Sequence, residues 1–388
     1  MINFTYHNPT KILFGKDQIE TLREELKPYQ GQASLLVYGK ASIKKIGVYE
    51  TLLKIFKDLN ITHYEESGVR ANPSIDSVLS ARKTILEKDI VFVLAAGGGS
   101  VLDAAKAIAF APFLKEEEVW EVFLRKTDAK KALPLGAVLT LAATGSESNG
   151  NTVITNDHTN EKRAVAYPFL FPQFAVIDPA YTMHVEKHFM VAGFIDIMMH
   201  VFEQYFSITK RTETSDYMSV GILRSVIENA NRILSGEDSY ESRANVSWAA
   251  TLALNWILGA GKIGDWASHR LSYPVTQFYG ITHGYALTTI YPAWLKTALK
   301  YNPEVMEKRL QFIGKELFNV TEPTQVIEAI RAQFKAWDAP TSFKEAGVTL
   351  DDKAIEALTE NAIALGPVGN VVSIDKALAK ELFILAKN

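Results

Sequence analysis

The chain has 388 residues, with 41 lysines and arginines against 44 aspartates and glutamates and a formal net charge of −3. Hydrophobic residues make up 47% of the sequence, a balance typical of a globular protein, and the length suits two domains. The absence of cysteine excludes disulfides, zinc–thiolate sites, iron–sulfur clusters and a cysteine nucleophile. No basic stripe marks a nucleic-acid surface, so we expect no nucleic-acid partner.

The sequence carries no sign of export or membrane insertion. No apolar stretch approaches the roughly 20 residues that span a bilayer. The start of the chain, MINFTYHNPTK, lacks the charged segment and apolar run of a signal peptide. We therefore expect a cytoplasmic protein with no membrane partner.

The first half of the chain alternates between strand and helix patterns. Short apolar runs and helical periodicity follow one another, which is typical of a parallel sheet with both faces covered by helices. Residues 151–167 differ, because two short segments flank the polar NDHTNEK and predict a β-hairpin. The predicted strands are 33–38, 90–96, 133–141 and 173–177, and the predicted helices are 47–58, 74–88 and 100–111.

After Asp178-Pro179 the strand signals stop and helical patterns continue to the end. We place the domain boundary so that residues 1–182 form an α/β domain and residues 183–388 an all-helical domain, with a cleft between them. The predicted helices are 187–207, 211–235, 239–260, 262–278, 283–299, 303–317, 323–336, 351–364 and 373–387.

A run of three glycines stands between a predicted strand and a helix in VLAAGGGSVLDAAKAIA, residues 93–109. Glycines allow a close backbone approach, and the free N–H groups of a helix start, with Ser100 as a candidate cap, attract a phosphate. The motif is neither GxGxxG nor a Walker A loop, and the alternative is a plain tight turn. For Asp103 and Lys106, three residues apart, the simplest interpretation is an exposed ion pair on the helix.

A second loop of small residues, AATGSESNGNT at 142–152, follows the predicted strand 133–141. Thr140, Thr144 and Ser146 supply hydroxyl groups there. Ligands of α/β sheets bind beyond the carboxyl ends of the strands, where both loops should lie. Together the two loops predict a nucleotide across this edge.

One carboxylate and three histidines form a candidate metal site. Asp196 and His200 lie four residues apart on one face of a predicted helix, AGFIDIMMHVFEQYF, which is otherwise apolar on that face. Taken alone, they could be a buried hydrogen-bonded pair. His269 and His283 raise the number of candidate ligands to four, a set that suits Fe²⁺ or Zn²⁺ and leaves room for a substrate oxygen.

These motifs occur in one order along the chain, starting with HNPTKILFGK at 7–16 and followed by GGGSVLDAAK, ATGSESN, D-x₃-H and H-x₁₃-HG. The set resembles the iron-dependent (group III) alcohol dehydrogenases. The phrases ILFGK, TLAATGSESN and GDWASHRL are most similar to the branch of butanol dehydrogenases and broad aldehyde reductases. The resemblance implies a dehydroquinate synthase-like fold, with a Rossmann-like dinucleotide-binding domain of parallel strands and an all-helical domain that binds metal and substrate.

The resemblance also implies roles for single residues. The cofactor diphosphate would bind at Gly97, Gly98, Gly99 and Ser100, with Asp103 in the same motif. Thr140, Thr144 and Ser146 would border the nicotinamide and its ribose, and Lys162 matches a lysine that contacts the cofactor. The four metal ligands would be Asp196, His200, His269 and His283.

The residues after the first predicted strand, VYGKASIKK, bear on the choice of cofactor. NAD-preferring members of the family often have an acidic residue where this chain has Gly39. Glycine leaves space for a 2′-phosphate, Lys40 offers a positive charge, and Ser42 offers a hydrogen bond. We predict NADP(H) over NAD(H). If the lysines here are only solvated, selectivity should be weak.

One position departs from the family pattern. The family has a histidine four residues after the third metal ligand, near the nicotinamide, where this chain has Tyr273. Because tyrosine titrates near pH 10 and histidine near 6.5, the usual proton relay is lost. Tyr273 remains a candidate proton donor to an alkoxide, and Pro274 is expected to kink or interrupt the helix.

The resulting expectation is a metal-dependent oxidoreductase that transfers hydride between NADP(H) and aldehydes or primary alcohols. The family also implies a homodimer. The alternatives are a polyol dehydrogenase or sugar-phosphate cyclase of the same fold, and a non-catalytic protein that binds a dinucleotide. A cyclase needs several basic residues around its substrate, and only Lys262 and Arg270 lie near the two later histidines.

Overall fold

The computed structural model describes all 388 residues and contains one large and one small β-sheet. The large sheet has six parallel strands in the order β1-β8-β5-β4-β2-β3, and the small sheet is the antiparallel pair β6-β7. The strands are β1 Lys11–Phe14, β2 Ala33–Tyr38, β3 Thr62–Glu66, β4 Phe92–Gly97, β5 Leu135–Leu139, β6 Asn151–Asn156, β7 Glu161–Ala166 and β8 Phe174–Ile177.

The four strands predicted from apolar runs and the hairpin at 151–167 are confirmed. The two outermost strands of the large sheet, β1 and β3, were not predicted. Each pairs with one neighbour only, and β3 has the sequence THYEE, with every residue at least partly exposed. An edge strand of this kind lacks the continuous apolar run that reveals a buried strand.

Helices cover both faces of the large sheet and make up the second half of the chain, which confirms the predicted fold class. Two apolar cores flank the sheet, one built around Leu35, Val93 and Ala137, the other around Leu36, Leu94 and Val138. The first six helices are α1 Leu22–Glu25, α2 Ser42–Lys45, α3 Val48–Asp58, α4 Ile75–Glu87, α5 Gly99–Phe110 and α6 Glu116–Phe123.

Nine helices follow the sheet. They are α7 Lys187–Tyr205, α8 Glu213–Leu234, α9 Tyr240–Ala253, α10 Ala267–Tyr279, α11 His283–Tyr301, α12 Pro303–Phe318, α13 Pro323–Ala336, α14 Asp352–Ala362 and α15 Lys376–Leu385. None combines the length and apolar character that crossing a bilayer requires.

The segment between α9 and α10 is not helical, which corrects the predicted helices 239–260 and 262–278. Trp256 and Trp266 adopt φ of 74° and 63°, in the left-handed region that ends a right-handed helix. Gly261, with φ of 75°, lies between them. Pro274 does not interrupt the helix, because α10 continues through it from Ala267 to Tyr279.

The chain forms two compact units, and neither is continuous in sequence. One consists of residues 7–185 and 239–251, and the other of residues 1–6, 186–238 and 252–388. Most of α9 therefore belongs with the α/β unit although it follows α7 and α8. The division into domains 1–182 and 183–388 stays a prediction.

Candidate functional site

Three loops follow neighbouring strands of the α/β unit at the same edge of the large sheet. Because β2, β4 and β5 are adjacent and parallel, the loops that begin at Gly39, at Gly98 and at Thr140 all leave from their carboxyl ends. The backbone N–H of Thr140 donates to the Gly97 carbonyl at 3.0 Å. A Cβ on Gly99 would collide with Thr144, so only glycine lets these two loops pack together.

Helix α5 begins directly at the glycine run and points its first N–H groups at this edge. Gly98 is the N-cap, with extended backbone angles, and Gly99 is the first helical residue. The expected capping role of Ser100 was wrong, because it is already the second residue of the helix and no side chain caps it. The N–H groups of a first helical turn lack partners within the helix, which makes them available to a phosphate.

Lys106 is fully buried, so its interpretation as half of an exposed ion pair was wrong. Its Nζ donates to Ser146 Oγ at 2.8 Å, to Asn149 Oδ1 at 3.1 Å and to the Asn151 carbonyl at 2.9 Å. Ser146 Oγ in turn donates to Asp103 Oδ1 at 2.8 Å. This network ties helix α5 to the loop after β5.

Burial shifts the pKa values of both charged groups in this network. It lowers the pKa of Lys106 to about 8, although Asp103 and Glu147 favour its charged form. It raises the pKa of Asp103 to about 6, against the opposing effect of Lys106 and the Ser146 hydrogen bond. The polar atoms of Asp103 and Ser146 thus bind other protein groups and hold the two loops in place. Direct contact of these two residues with a cofactor stays a prediction.

The remaining predicted cofactor residues lie around the same loops. Lys40 and Ser42 are exposed, and the Gly39 carbonyl accepts the N–H of Gly68 at 2.9 Å. Lys162 lies on β7, where it is buried and donates to Asn72 Oδ1 at 2.8 Å. Lys162 pairs with Thr155 on β6, two residues from Val153, whose backbone N–H donates to Asp103 Oδ2 at 3.2 Å.

The four predicted metal ligands converge in the helical unit. Asp196 and His200 lie one turn apart on α7, His269 lies in the first turn of α10, and His283 is the first residue of α11. A Cβ on Gly284 would collide with the Ala192 carbonyl, so this glycine lets the start of α11 approach α7 closely.

The ligand atoms surround one carboxylate oxygen. Asp196 Oδ1 lies 3.7 Å from His200 Nε2, 3.7 Å from His269 Nε2 and 3.6 Å from His283 Nε2. Ligand atoms of Asp196, His200 and His269 all lie within 4.8 Å of one another. Two ligands about 2.1 Å from one tetrahedral ion would be about 3.4 Å apart, close to these separations.

Several buried atoms of the cluster have no hydrogen-bond partner. These are Asp196 Oδ1, His200 Nδ1 and His269 Nε2. A buried carboxylate oxygen without a partner is costly, and a bound cation would remove that cost. The chemistry and spacing of these residues therefore fit a divalent metal.

The pKa shifts of His200 and Asp196 agree with this interpretation, whereas that of His269 reflects the carboxylates beside it in the metal-free protein. Burial lowers the pKa of His200 to about 4, so its imidazole is neutral near pH 7, as a metal ligand must be. Burial opposes ionisation of Asp196, but the three histidines keep its pKa well below the usual range. Burial also lowers the pKa of His269, and the carboxylates of Asp196 and Glu203 more than reverse this and raise it to about 9.

Tyr273 lies beside this cluster. It follows His269 by one helical turn on α10, its side chain is half-buried, and its ring centre lies 6.4 Å from that of His283. The structure therefore brings the predicted proton donor close to one predicted metal ligand.

Two buried carboxylates at this site, Glu203 and Asp265, were not predicted. Glu203 Oε1 lies 3.1 Å from His269 Nδ1, and Asp265 lies at the start of α10. Burial and the nearby Glu203 raise the pKa of Asp265 to about 7. The spacing could have revealed Glu203, because it falls seven residues after Asp196 and three after His200, on the same face of α7.

The fold and site define a protein with glycine-rich loops at the carboxyl edge of a parallel sheet in an α/β unit and a carboxylate–histidine cluster in a helical unit. Residues 9–179 match the family model "Iron-containing alcohol dehydrogenase", and residues 190–384 match "Fe-containing alcohol dehydrogenase family, C-terminal". The chain belongs to the iron-containing alcohol dehydrogenase family, as the motifs predicted.

Named relatives place the chain near one branch of this family. It is 38% identical over 384 residues, 97% of each chain, to probable NADH-dependent butanol dehydrogenase 1 of Bacillus subtilis. It is 36% identical over 368 residues, 92% of each chain, to the NADPH-dependent aldehyde reductase YqhD of Escherichia coli. The crystal structure of NADH-dependent butanol dehydrogenase A from Thermotoga maritima matches with a TM-score of 0.94 and 35% identity, over 100% of this chain and 99% of the other.

Proposed function

We propose that this chain is a metal-dependent oxidoreductase that transfers hydride between NADP(H) and aldehydes or primary alcohols. The observation that carries the proposal is the convergence of three imidazole nitrogens, each 3.6–3.7 Å away, on one buried carboxylate oxygen. The relatives named as butanol dehydrogenases and an aldehyde reductase support the substrate class.

Asp196, His200, His269 and His283 would hold Fe²⁺ or Zn²⁺, since carboxylate and imidazole accept both metals. When bound, the metal supplies a Lewis acid for the substrate oxygen and the nicotinamide exchanges the hydride. The chain contributes a neutral His200, an ionised Asp196 and an apolar surround, including Ile195 and Met199 on α7.

The loops at the carboxyl edge of the sheet would hold the cofactor. The N–H groups at the start of α5 would face the diphosphate at Gly98, Gly99 and Ser100, next to Gly97. Thr140 and Thr144 would face the nicotinamide and its ribose. The buried Lys106 fixes the loop after β5 against α5 through its three hydrogen bonds.

The preference for NADP(H) is proposed from the loop after β2. The named relatives differ, since the Bacillus subtilis protein is called NADH-dependent and the Escherichia coli reductase NADPH-dependent. Gly39 has no acidic side chain to repel a 2′-phosphate, and Lys40 and Ser42 are exposed beside it.

The first experiment measures NADPH oxidation with butanal, using protein stripped by a chelator and then reloaded with Fe²⁺ or Zn²⁺. We expect turnover to return with at least one of the two metals. If NADPH binds but neither metal restores turnover with butanal, a polyol or a sugar phosphate, the non-catalytic alternative replaces this proposal.

A second experiment compares kcat/KM for NADPH and NADH in the wild type and in Lys40→Ala. We expect the wild type to favour NADPH, and the variant to lose part of that preference because it lacks the nearby charge. Lys45→Ala is the matched control, since Lys45 is also an exposed lysine and lies at the end of α2. Equal or better efficiency with NADH in the wild type would overturn the proposed preference.

Two further expectations remain proposals. We propose that the protein is a homodimer, as the family resemblance implies, and light scattering of the purified protein would measure its mass in solution. We also propose a cytoplasmic location, which fractionation of the producing cells would test.

A further inference from the structure

We infer that Glu203 is a positioning residue for the metal site, because it fixes the orientation and the protonated nitrogen of the ligand His269. The inference rests on the metal site proposed above. It concerns a residue outside the set of four ligands.

Glu203 binds His269 through two hydrogen bonds on a single oxygen. Oε1 accepts the backbone N–H of His269 at 2.9 Å and lies 3.1 Å from its ring nitrogen Nδ1. One bond sets the position of the first turn of α10, and the other sets the rotation of the ring. The Glu203 side chain is only 1% exposed, so water does not compete for these bonds.

The second bond also decides which ring nitrogen is free for a metal. A histidine that binds a metal is neutral, and a neutral imidazole carries its proton on one nitrogen only. With that proton on Nδ1 and donated to Glu203, the lone pair is on Nε2. This is the nitrogen that faces Asp196 Oδ1, 3.7 Å away, and it has no hydrogen-bond partner. A carboxylate behind a ligating histidine also makes the histidine a stronger donor to the metal.

The ligand His200 has no carboxylate that orients its ring in the way that Glu203 orients His269. The Nδ1 atom of His200 is buried and has no hydrogen-bond partner, so only packing holds its ring. The ring stacks on that of His269 with centres 4.7 Å apart. Fixing His269 therefore also fixes the surface against which His200 packs.

The backbone of Glu203 also connects α7 to the segment that leads into α10. Its carbonyl accepts the N–H of Asp265 at 2.7 Å, and a Cβ on Gly264 would lie 2.8 Å from that carbonyl oxygen. Asp265 Oδ1 accepts the N–H groups of Asn370 and Val371 at 2.8 and 2.7 Å. The backbone of Glu203 thus holds the segment that leads into α10 against α7, while the side chain of the same residue orients His269.

The competing explanation is that Glu203 only anchors the start of α10. Such a role would change the free energy of unfolding and leave the metal environment unaltered. Metal affinity and the ligand-field spectrum separate the two explanations, and they do not depend on catalytic turnover.

The experiment uses Co²⁺ as the probe in the full chain. Wild type, Glu203→Gln and Glu203→Leu are stripped and titrated with Co²⁺ in competition with a chelator, and the visible absorption bands are recorded. The amide oxygen of Gln can accept both N–H groups, whereas Leu accepts neither. We expect about 10- to 100-fold weaker Co²⁺ binding and shifted bands in Glu203→Leu. We expect a smaller loss and nearly wild-type bands in Glu203→Gln.

Glu147→Gln is the matched control, because Glu147 is also a fully buried carboxylate and its Oε1 accepts from Thr251 at 2.6 Å, in the other compact unit. It should bind Co²⁺ like the wild type. Wild-type affinity and bands in Glu203→Leu, even with a lower unfolding temperature, would overturn the inference while leaving the metal site intact. A wild type that fails to bind Co²⁺ would instead overturn the proposed metal site, and this inference with it.

Discussion

Each compact unit buries a charged cluster, and the two clusters differ in how their polar atoms are satisfied. In the α/β unit, all three donor directions of the Lys106 ammonium find acceptors, and Asp103 accepts from Ser146 and from the Val153 N–H. In the helical unit, Asp196 Oδ1 and His269 Nε2 have no hydrogen-bond partner.

The difference supports the proposal that the Asp196 cluster binds a metal, whereas the Lys106 network holds two loops together. A satisfied network stabilises the fold, whereas buried atoms without partners reduce stability until a ligand binds them. We therefore expect substitutions in the first cluster to affect unfolding and substitutions in the second to affect metal and turnover.

The largest expected effect is the loss of activity in the variant His200→Asn. This variant should lose metal and more than about 1000-fold in turnover, because the site would lack one ligand. Its stability without metal should change by no more than about 1 kcal/mol, since His200 Nδ1 has no partner to lose. Metal analysis, steady-state kinetics and urea unfolding of the metal-free proteins provide the measurements. A large loss of stability would break the distinction between the clusters.

Lys106→Met should show the opposite pattern. Removing the ammonium takes a nearby positive charge from the buried Asp103 and a donor from three buried acceptors, at a cost of about 3 kcal/mol in the free energy of unfolding. The metal content should stay at the wild-type level. Urea unfolding measures the free energy of unfolding. The control is Lys45→Met at an exposed position, whose free energy of unfolding should lie within about 0.5 kcal/mol of wild type. Equal stability of the two variants would contradict this prediction.

The pH dependence of stability sharpens the same comparison. Because the pKa of Lys106 falls from 10.5 to about 8 on folding, the folded state binds fewer protons than the unfolded state between these values. The contribution of Lys106 to stability therefore rises with pH in this window. The gap in unfolding free energy between wild type and Lys106→Met should widen by about 1 kcal/mol from about pH 8 to about pH 9. Unfolding curves at both pH values test this, and a constant gap would mean that Lys106 does not titrate there.

The smallest effect is expected at Tyr273, which borders the metal cluster without contributing a ligand atom. Tyr273→Phe removes only the hydroxyl, and we expect about a tenfold loss of kcat together with a changed pH profile, because water or a ribose hydroxyl can also supply the proton. Metal affinity should not change. An unaltered rate and pH profile would exclude a proton role for this residue.

Sequence patterns predicted most of the fold and singled out the four side chains that converge at Asp196, but not the surroundings of this cluster. The apolar runs of β2, β4, β5 and β8 were visible because both faces of a central parallel strand are buried. The polar edge strand β3 has no such signal. At the site, the spacing of Asp196 and His200 pointed to a shared helix face, whereas the partner of His269 is 66 positions away in sequence.

Lys106 and Glu203 show why the sequence did not predict the buried polar contacts. On sequence alone a lysine three residues from an aspartate indicates an exposed pair, and only the packing of α5 against the loop after β5 buries its side chain. The spacing of Glu203 places it on the helix face of Asp196 and His200, but does not show that it contacts His269. Its role depends on where α10 starts, which the left-handed conformation of Trp266 decides.

The sequence by itself determined the alternation of strands and helices, the glycine loops and the four side chains that we propose bind a metal, because these depend on local periodicity and residue chemistry. Only the tertiary structure decided which polar atoms have partners. A partner can lie far away in sequence, and whether a charge is exposed or buried depends on the elements that pack over it. That distinction supports a structural role for the Lys106 network and the proposal that the Asp196 cluster binds a metal.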